Sequence, residues 1–178
     1  MTARVRQARP EDADGMARVH VDSWRETYRG VMPDRVLDDP GMPEMRRRFW
    51  TTVLADPRLT GTTAVAEDGG RIVGIALAGQ SPTGQDQSAT QLFVLYLLES
   101  HHGTGLGREL LDSVLDDRRP AVLWVADPNP RAQAFYRRAG FRMDGVVKVE
   151  DGVRELRMVR DPVADRSGAG VSDSPGRG

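Results

Sequence analysis

The chain has 178 residues, 39% of them apolar and 29% charged, a composition typical of one folded domain and not of a disordered chain. Its formal net charge of −1 argues against general nucleic-acid binding, and the absence of cysteine excludes disulfides, thiolate metal sites and a cysteine nucleophile. The longest apolar stretch, 92–98, is too short to span a bilayer, and the N-terminus has no apolar signal core. We therefore expect a cytoplasmic protein without nucleic-acid or membrane partners.

The first half of the chain predicts a strand, two helices and a β-hairpin. A short strand at 5–8 precedes a helix that Pro10 opens, along which Ala13, Met16, Ala17, His20 and Trp24 recur every three or four residues, which predicts one buried, mainly apolar row. A loop containing proline and glycine leads to a second helix at about 43–54. The run from 62 to 80 is rich in β-forming residues on both sides of Asp-Gly-Gly at 68–70, which predicts a hairpin.

The second half alternates strands and helices. A turn at 81–88 leads to an apolar strand at 91–98, which should be central and buried. A glycine-rich loop at 102–108 follows, and then a helix with one apolar face, formed by Leu106, Leu110, Leu111, Val114 and Leu115. From residue 163 the chain is small, polar and broken by glycine and proline. We predict one domain at 1–162 and a disordered tail at 163–178.

The glycine-rich loop has the composition of a phosphate site. Residues 99–108 read Glu-Ser-His-His-Gly-Thr-Gly-Leu-Gly-Arg, between a buried strand and an amphipathic helix. Free N–H groups at a helix N-terminus stabilise a phosphate, and glycine lets the backbone approach it closely. Arg108 in the first turn can add charge-assisted hydrogen bonds. No metal site is expected, because the adjacent pair His101 and His102 points in different directions.

Three kinds of phosphate-binding loop are rich in glycine and can be compared with this segment. A P-loop is excluded because no Gly-x-x-x-x-Gly-Lys-Ser/Thr string exists. A dinucleotide site has Gly-x-Gly-x-x-Gly, and Asp127 ends the next strand as its ribose ligand would. A methyltransferase loop is also similar to Gly-Thr-Gly at 103–105. Both place the loop early, whereas only about 55 ordered residues follow it in this chain, enough for one further helix and three strands.

Two segments resemble the GNAT superfamily of N-acetyltransferases. His-Gly-Thr-Gly-Leu-Gly at 102–107 is similar to the family's Gln/Arg-x-x-Gly-x-Gly/Ala pyrophosphate motif, with His102 where glutamine or arginine is usual. Residues 123–136 resemble its strand–Asn–helix–Phe-Tyr segment, followed by Ala-Gly-Phe at 139–141. Asn129 and Tyr136 stand seven residues apart, as in many members. The resemblance covers roughly 3–160.

The resemblance implies an α/β (α+β) fold, a mixed twisted sheet of about six to seven strands with helices on both faces. It implies transfer of an acetyl group from acetyl-CoA, a cosubstrate, to a primary amine of a small molecule or peptide, by direct attack through a tetrahedral intermediate and without a metal. The implied cofactor-binding residues are Leu95, Tyr96, Leu97, His102, Gly103, Thr104, Gly105, Leu106, Gly107, Arg108, Asn129 and Tyr136. Backbone groups of the first three would pair with the pantetheine arm, and the N–H of Leu97 would stabilise the oxyanion.

Tyr136 and Glu99 are the catalytic candidates. A thiolate whose thiol has a pKa near ~8.5 can take a proton from a tyrosine with a pKa of ~10, and Tyr136 matches the family position for that acid. Tyr136 as a core aromatic is the alternative. Some relatives carry a glutamate as base where this chain has Trp124. Glu99 is the candidate to replace it, directly or through water. The alternatives are that Glu99 is a solvent-facing carboxylate with no base role, and that a chain of water molecules removes the proton without a dedicated base.

The first two helices and their connecting loop, roughly 24–45, are predicted from the resemblance to set acceptor specificity. Trp24 and Tyr28 lie one helical turn apart and form a candidate aromatic wall, although core packing explains Trp24 equally well. The region is modestly acidic, which favours a cationic amine, and a peptide N-terminus stays open. Asn129 should cap the helix that starts at Pro130. An acyl-CoA-binding sensor without turnover is the rival function, and many relatives form homodimers.

Overall fold

The computed structural model describes residues 3–30, 32–59, 61–80, 89–150 and 152–163, and within these ranges it forms seven strands and five α-helices. In chain order they are β1 (Arg4–Gln7), α1 (Ala13–Tyr28), α2 (Asp34–Leu37), α3 (Met42–Ala55), β2 (Thr63–Asp68), β3 (Arg71–Gln80), β4 (Thr90–Leu97), α4 (Leu106–Val114), β5 (Ala121–Asp127), α5 (Pro130–Arg138), β6 (Arg142–Glu150) and β7 (Val153–Arg160). The turn predicted at 81–88 and, apart from residue 163, the tail predicted at 163–178 lie outside the described residues.

The strands form one mixed sheet in the order β1-β2-β3-β4-β5-β7-β6. Its neighbours are antiparallel except β4 and β5, which run parallel at the centre. The predicted mixed sheet is therefore confirmed, and so is the central position of the apolar strand. That strand is less buried than predicted, however, because Phe93 is 42% exposed.

Helices cover both faces of the sheet, as predicted. We call the side under α4 and α5 the α4 face, and the side under α1 and α3 the α1 face. Core residues alternate between the faces along a strand: Ala64 and Ala66 of β2 belong to the α4-face core, and Val65 belongs to the α1-face core. The five apolar residues predicted for the buried face of α4 are each at most 6% exposed.

The first helix differs from its prediction at both ends. A 3-10 turn at Pro10–Asp12 precedes α1, and Trp24 is only half-buried. Val19 and Ser23, outside the predicted apolar row, are instead fully enclosed. The reason is that α1 packs against both the sheet and α3 and so buries two rows of side chains. No helix within the described ranges is both long and apolar enough to cross a membrane.

Arg6 ties β1 to the start of α1. Its guanidinium donates to both carboxylate oxygens of Asp12, at 2.7 and 2.9 Å, and to Glu67 at 2.7 Å. Burial by itself would raise the pKa of Asp12, but the hydrogen bonds from Arg6 and from the Arg9 amide outweigh it, so the pKa is lowered. A carboxyl whose folded pKa lies below its unfolded pKa stabilises the fold at neutral pH, and this contribution is lost as the pH falls through the folded pKa.

Replacing Arg6 with methionine should lower the free energy of unfolding by about 2 kcal/mol at neutral pH, because Asp12 stays buried without its partner. The loss relative to the wild type should shrink as Asp12 becomes protonated in acid. Urea unfolding between neutral and acid pH measures both effects. Arg4 also bonds to Glu67, but its side chain is 68% exposed, so Arg4→Met should cost under about 0.5 kcal/mol. Equal losses in the two variants would contradict the role given to Arg6.

Candidate functional site

The two central strands part at mid-length. β4 and β5 pair only from Thr90 to Leu92 and from Ala121 to Leu123. Beyond these positions no ladder pair joins them in the described chain, and a cleft of about 780 Å³ opens between them. A cavity of this size suits a cofactor or another small molecule.

The cleft is lined from both faces of the sheet, and we call its two sides the α4-face mouth and the α1-face mouth. Leu95 and Leu97 pack against the α4-face core, Tyr96 packs against the α1-face core, and all three line the cleft. Residues of α4 and α5 line one mouth, and residues of α1 line the other. The cleft walls therefore combine side chains from the two cores that lie on opposite faces of the sheet.

The loop after β4 presents unpaired amides beside the α4-face mouth. Four N–H groups have no hydrogen-bond partner in the described part of the chain: those of Gly103, Thr104, Gly105 and Gly107. The N–H groups of His102 and Arg108, at the two ends of the loop, instead donate to main-chain carbonyls at 3.0 and 2.9 Å. The free donors are thus confined to 103–107, a narrower set than the sequence indicated.

The glycines of the loop leave the space beside these amides open. Gly103 and Gly105 have φ angles of +79° and +94°, in the left-handed region that favours glycine. A Cβ added at either position would meet no atom within 4 Å. Gly105 is also the N-cap of α4, so the unpaired amides lie at the positive end of the helix dipole.

Two of the predicted loop residues do not line the cleft with their side chains. The Thr104 hydroxyl donates to the His101 carbonyl at 2.7 Å, and the Leu106 side chain is buried in the α4-face core. The other predicted residues of this segment do line it: His102, Gly103, Gly105, Gly107 and Arg108. Neither Thr104 nor Leu106 is therefore part of the cleft lining, in contrast to the prediction.

His102 fastens the loop to the end of β4. Its Nε2 lies 2.7 Å from the Leu97 carbonyl oxygen, which can only accept, so Nε2 carries the proton. The Nδ1 atom is then a buried acceptor, and it has no partner among the described residues. The histidine that replaces the usual glutamine or arginine thus holds the loop against the strand, and its second ring nitrogen is buried.

The main-chain groups of successive residues in β4 face alternately toward β3 and toward the gap between β4 and β5. The Leu98 amide donates to the Val73 carbonyl at 3.0 Å, and hydrogen-bonded positions alternate along an antiparallel strand. The main-chain groups of Tyr96 therefore face β3, and Tyr96 reaches the cleft with its side chain. Those of Leu95 and Leu97 face the gap, where β5 supplies no ladder partner.

Helix α5 carries the other family segment. The Asn129 side chain accepts from the Ala132 amide at 3.1 Å, which confirms the predicted N-cap, and Asn129 also lines the cleft. Tyr136 is 8% exposed, and its ring packs edge-on against Phe135 and Phe141 at centroid distances of 5.2 and 5.9 Å. It is thus a core aromatic whose edge reaches the cleft.

Burial raises the pKa of Tyr136 above its ordinary value, and the nearby Tyr96 and Tyr28 raise it further. The described residues provide no hydrogen-bond partner for its hydroxyl. The Tyr136 phenol therefore keeps its proton at neutral pH and is a hydrogen-bond donor, and the same burial makes it a weaker acid than an exposed tyrosine. All three tyrosines of the chain line this one cavity.

Of the remaining predicted site residues, Glu99 and Tyr28 line the cleft and Trp24 does not. Glu99 lines the cleft with an exposed side chain, and its amide donates to the Glu26 carboxylate at 3.0 Å. The predicted contact between Trp24 and Tyr28 exists, with ring centroids 5.9 Å apart. Only Tyr28 lines the cleft, because Trp24 lies under the Arg46 guanidinium at 5.6 Å.

Sequence reasoning missed several charged residues that line the cleft. Arg131 and Arg138 of α5 join Arg108 beside the α4-face mouth, whereas Glu26 of α1 and Glu155 of β7 line the cleft as well. Glu155 pairs with Ala126 across the sheet, a register that no pattern in the sequence reveals. The cleft is therefore basic near the loop and acidic near α1.

The carboxylate that suggested a dinucleotide site is engaged within the chain. Asp127 forms an ion pair with Arg154 of the neighbouring strand and accepts from Gln133 at 3.4 Å. A ribose ligand would have to displace Arg154. The geometry thus disfavours that alternative, which the chain order already disfavoured.

Comparison with known proteins points in one direction. The model of the Acetyltransferase (GNAT) family matches residues 18–141. A Mycobacterium tuberculosis protein named "Probable N-acetyltransferase Rv2775" is 29% identical over 147 residues, which cover 80% of this chain and 81% of that protein.

Two solved structures share the fold. The paia N-acetyltransferase from Thermoplasma acidophilum, in complex with coenzyme A, has a TM-score of 0.69 at 18% identity, over 90% of this chain and 99% of that one. The yncA protein from Salmonella typhimurium, with its cofactor acetyl-CoA, has a TM-score of 0.67 at 18% identity, over 93% and 96%. The family model spans more than half of the chain and includes both motifs, so the resemblance is confirmed: this chain belongs to the acetyltransferase (GNAT) family.

Proposed function

We propose that the chain transfers the acetyl group of acetyl-CoA to a primary amine, with acetyl-CoA entering from the α4 face and the amine from the α1 face. The observation that carries the proposal is the set of four unpaired loop amides beside a gap between parting strands. Gly103, Thr104 and Gly105 are exposed, so water can reach these donors, and a cluster of free N–H groups at the N-terminus of a helix favours an anion with several acceptor oxygens. A diphosphate supplies them.

The residues that line the cleft suit the diphosphate and the pantetheine arm of acetyl-CoA. The amides at 103–107, with Arg108 and Arg131 nearby, would hold the diphosphate. The gap-facing main-chain groups of Leu95 and Leu97 would pair with the pantetheine arm as an added strand does, and Asn129 lines the opposite wall. When bound, acetyl-CoA supplies an acyl group activated as a thioester.

Two groups of the chain are proposed to act on the reacting atoms. The Leu97 N–H faces the gap and would stabilise the negative charge that develops on the acyl oxygen. Tyr136 would give its proton to the departing thiolate, since a buried, protonated phenol is available at the α4-face wall. The amine would attack from the α1 face, where Tyr28 forms part of the wall.

We propose that Glu99 is the base that takes the amine proton but contributes little to the rate, because its side chain is exposed and water can replace it. Glu99→Gln should lower kcat by less than about tenfold, with a smaller rise of rate on the acid side of the rate–pH profile. Glu109→Gln, on the exposed side of α4, is the matched control. A rate–pH profile identical to that of the wild type would end the base role of Glu99.

The cofactor class is tested by thermal unfolding with acetyl-CoA, S-adenosylmethionine and NAD. A ligand at a hundredfold excess over its dissociation constant stabilises the folded chain by about 2.7 kcal/mol, and we expect this only with acetyl-CoA. Release of free thiol in a panel of amines then tests turnover. Stabilisation without thiol release from any amine would favour an acyl-CoA sensor, and stabilisation by another cofactor alone would overturn the proposal.

A further inference from the structure

The only lysine of the chain fills a cation-binding position at the cleft. The Lys148 Nζ lies 4.8 Å from the centroid of the Trp124 ring and 2.9 Å from a carboxylate oxygen of Glu155. It is also ion-paired with Glu150. An aromatic face with a carboxylate beside it is the arrangement that binds an ammonium group.

Two of the three partners of Lys148 belong to the cleft. Trp124 and Glu155 line it, whereas Lys148 and Glu150 do not. Leu123 belongs to the α4-face core, and side chains alternate along a strand, so Trp124 faces the α1 side. Glu155 pairs with Ala126, two residues further along β5, and therefore shares that side.

The charge of Glu155 is felt by the tyrosines of the α1-face mouth. Burial raises the pKa of Tyr28, and the Glu155 charge raises it further. Burial likewise dominates the raised pKa of Tyr96, to which Glu155 adds. Glu155, Tyr28 and Tyr96 all line the same cleft, so the carboxylate belongs to the wall that the entering amine would pass.

We propose that the Trp124 ring and the Glu155 carboxylate form a cation subsite for the acceptor, so that the preferred acceptor is a primary amine carrying a second ammonium group, which displaces Lys148. This inference rests on the proposed function and names the substrate class of that site. The exchange is like for like, because an ammonium group replaces an ammonium group. Lys148 keeps its ion pair with Glu150 when it leaves, so the exchange leaves no cation without a counter-charge.

The second ammonium group would also assist the reaction. The amine that attacks must be neutral, and a positive charge held nearby disfavours protonation of a neighbouring amine. A diamine bound in this way would therefore present its free end in the reactive form more often than a monoamine would. Selectivity for diamines should appear both in binding and in turnover.

Calorimetric titration of the whole chain with 1,4-diaminobutane and with butylamine tests the subsite without any need for turnover. We expect the diamine to bind at least about tenfold more tightly than the monoamine, and Glu155→Gln to remove this difference. Glu150→Gln is the matched control, because Glu150 is also ion-paired with Lys148 but does not line the cleft. It should keep the preference. Equal affinity for the two amines, or equal effects of the two substitutions, would overturn the subsite.

Lys148→Met supplies a second test that does not remove a ligand-binding group. Methionine keeps the length of the side chain without its charge, so the diamine should bind about three- to tenfold more tightly when its competitor is gone. Unchanged or weaker diamine binding would show that Lys148 does not occupy the subsite and would overturn the inference.

The subsite and the proposed function can fail separately. Diamine binding that depends on Glu155, with no acetyl transfer to any amine, would support the subsite and overturn the transferase. Acetyl transfer to butylamine and 1,4-diaminobutane with equal KM would support the transferase and overturn the subsite.

Discussion

Replacing Gly105 with valine should abolish acetyl-CoA binding while the chain stays folded. A Cβ at this position would point into open space beside the unpaired loop amides, where the diphosphate is proposed to lie. The valine side chain would exclude the phosphate oxygens from N–H groups that Gly103 and Gly107 present on either side. Since several charge-assisted hydrogen bonds are lost together, the dissociation constant should rise by at least about a hundredfold. Calorimetric titration with coenzyme A measures the change.

Backbone strain requires its own control. A valine at a φ of +94° is strained wherever it occurs, at a cost of about 1–2 kcal/mol. Gly145 of β6 has a φ of +87°, also has open space around an added Cβ, and does not line the cleft. Gly145→Val should therefore lose similar stability in urea but bind coenzyme A normally. Wild-type affinity in Gly105→Val would refute the assignment of the loop.

Tyr136→Phe should lower kcat by about a hundredfold or more, the usual contribution of a general acid, and change the KM for acetyl-CoA by less than about twofold. The substitution removes one hydroxyl and keeps the ring contacts with Phe135 and Phe141. The thiolate would then have to leave without a proton from the enzyme. Initial rates of thiol release over both substrate concentrations separate the two constants.

The pH dependence of Tyr136 has a defined sign. Because burial raises its pKa, the phenol stays protonated up to its ordinary pKa of about 10, and no loss of rate should arise from it below that pH. Tyr28→Phe removes the same hydroxyl from the other mouth and should raise the KM for the amine instead of lowering kcat. Equal losses in kcat and in acetyl-CoA affinity for Tyr136→Phe would mean that Tyr136 only packs.

Much of the fold could be predicted because local signals are strong where the chain is regular. The glycine pair at 69–70 adopts positive φ angles and makes the hairpin, and Asn129 caps α5 as its position before proline indicated. The apolar face of α4 has a clear helical period, which places the helix on the sheet. In each case the signal lies within a few neighbouring residues.

The site was only partly predictable because its geometry depends on long-range pairing. Both motifs are contiguous in the sequence, so the loop and Tyr136 could be named from the residues. Glu155 enters the cleft because β7 inserts between β5 and β6, and nothing local fixes that strand order. In the same way, the sequence does not reveal that the Trp24 ring lies against Arg46 of α3 and not in the wall of the cleft.

The two mouths of the cleft are built by separate stretches of the chain. The loop and α5 form the side proposed for the donor, whereas α1 and β7 contribute to the side proposed for the acceptor. Substitutions on α1 or β7 are therefore expected to change the choice of acceptor and to leave the affinity for the donor unchanged. With this division, the same fold can use different nucleophiles as acceptors while the acyl donor stays the same.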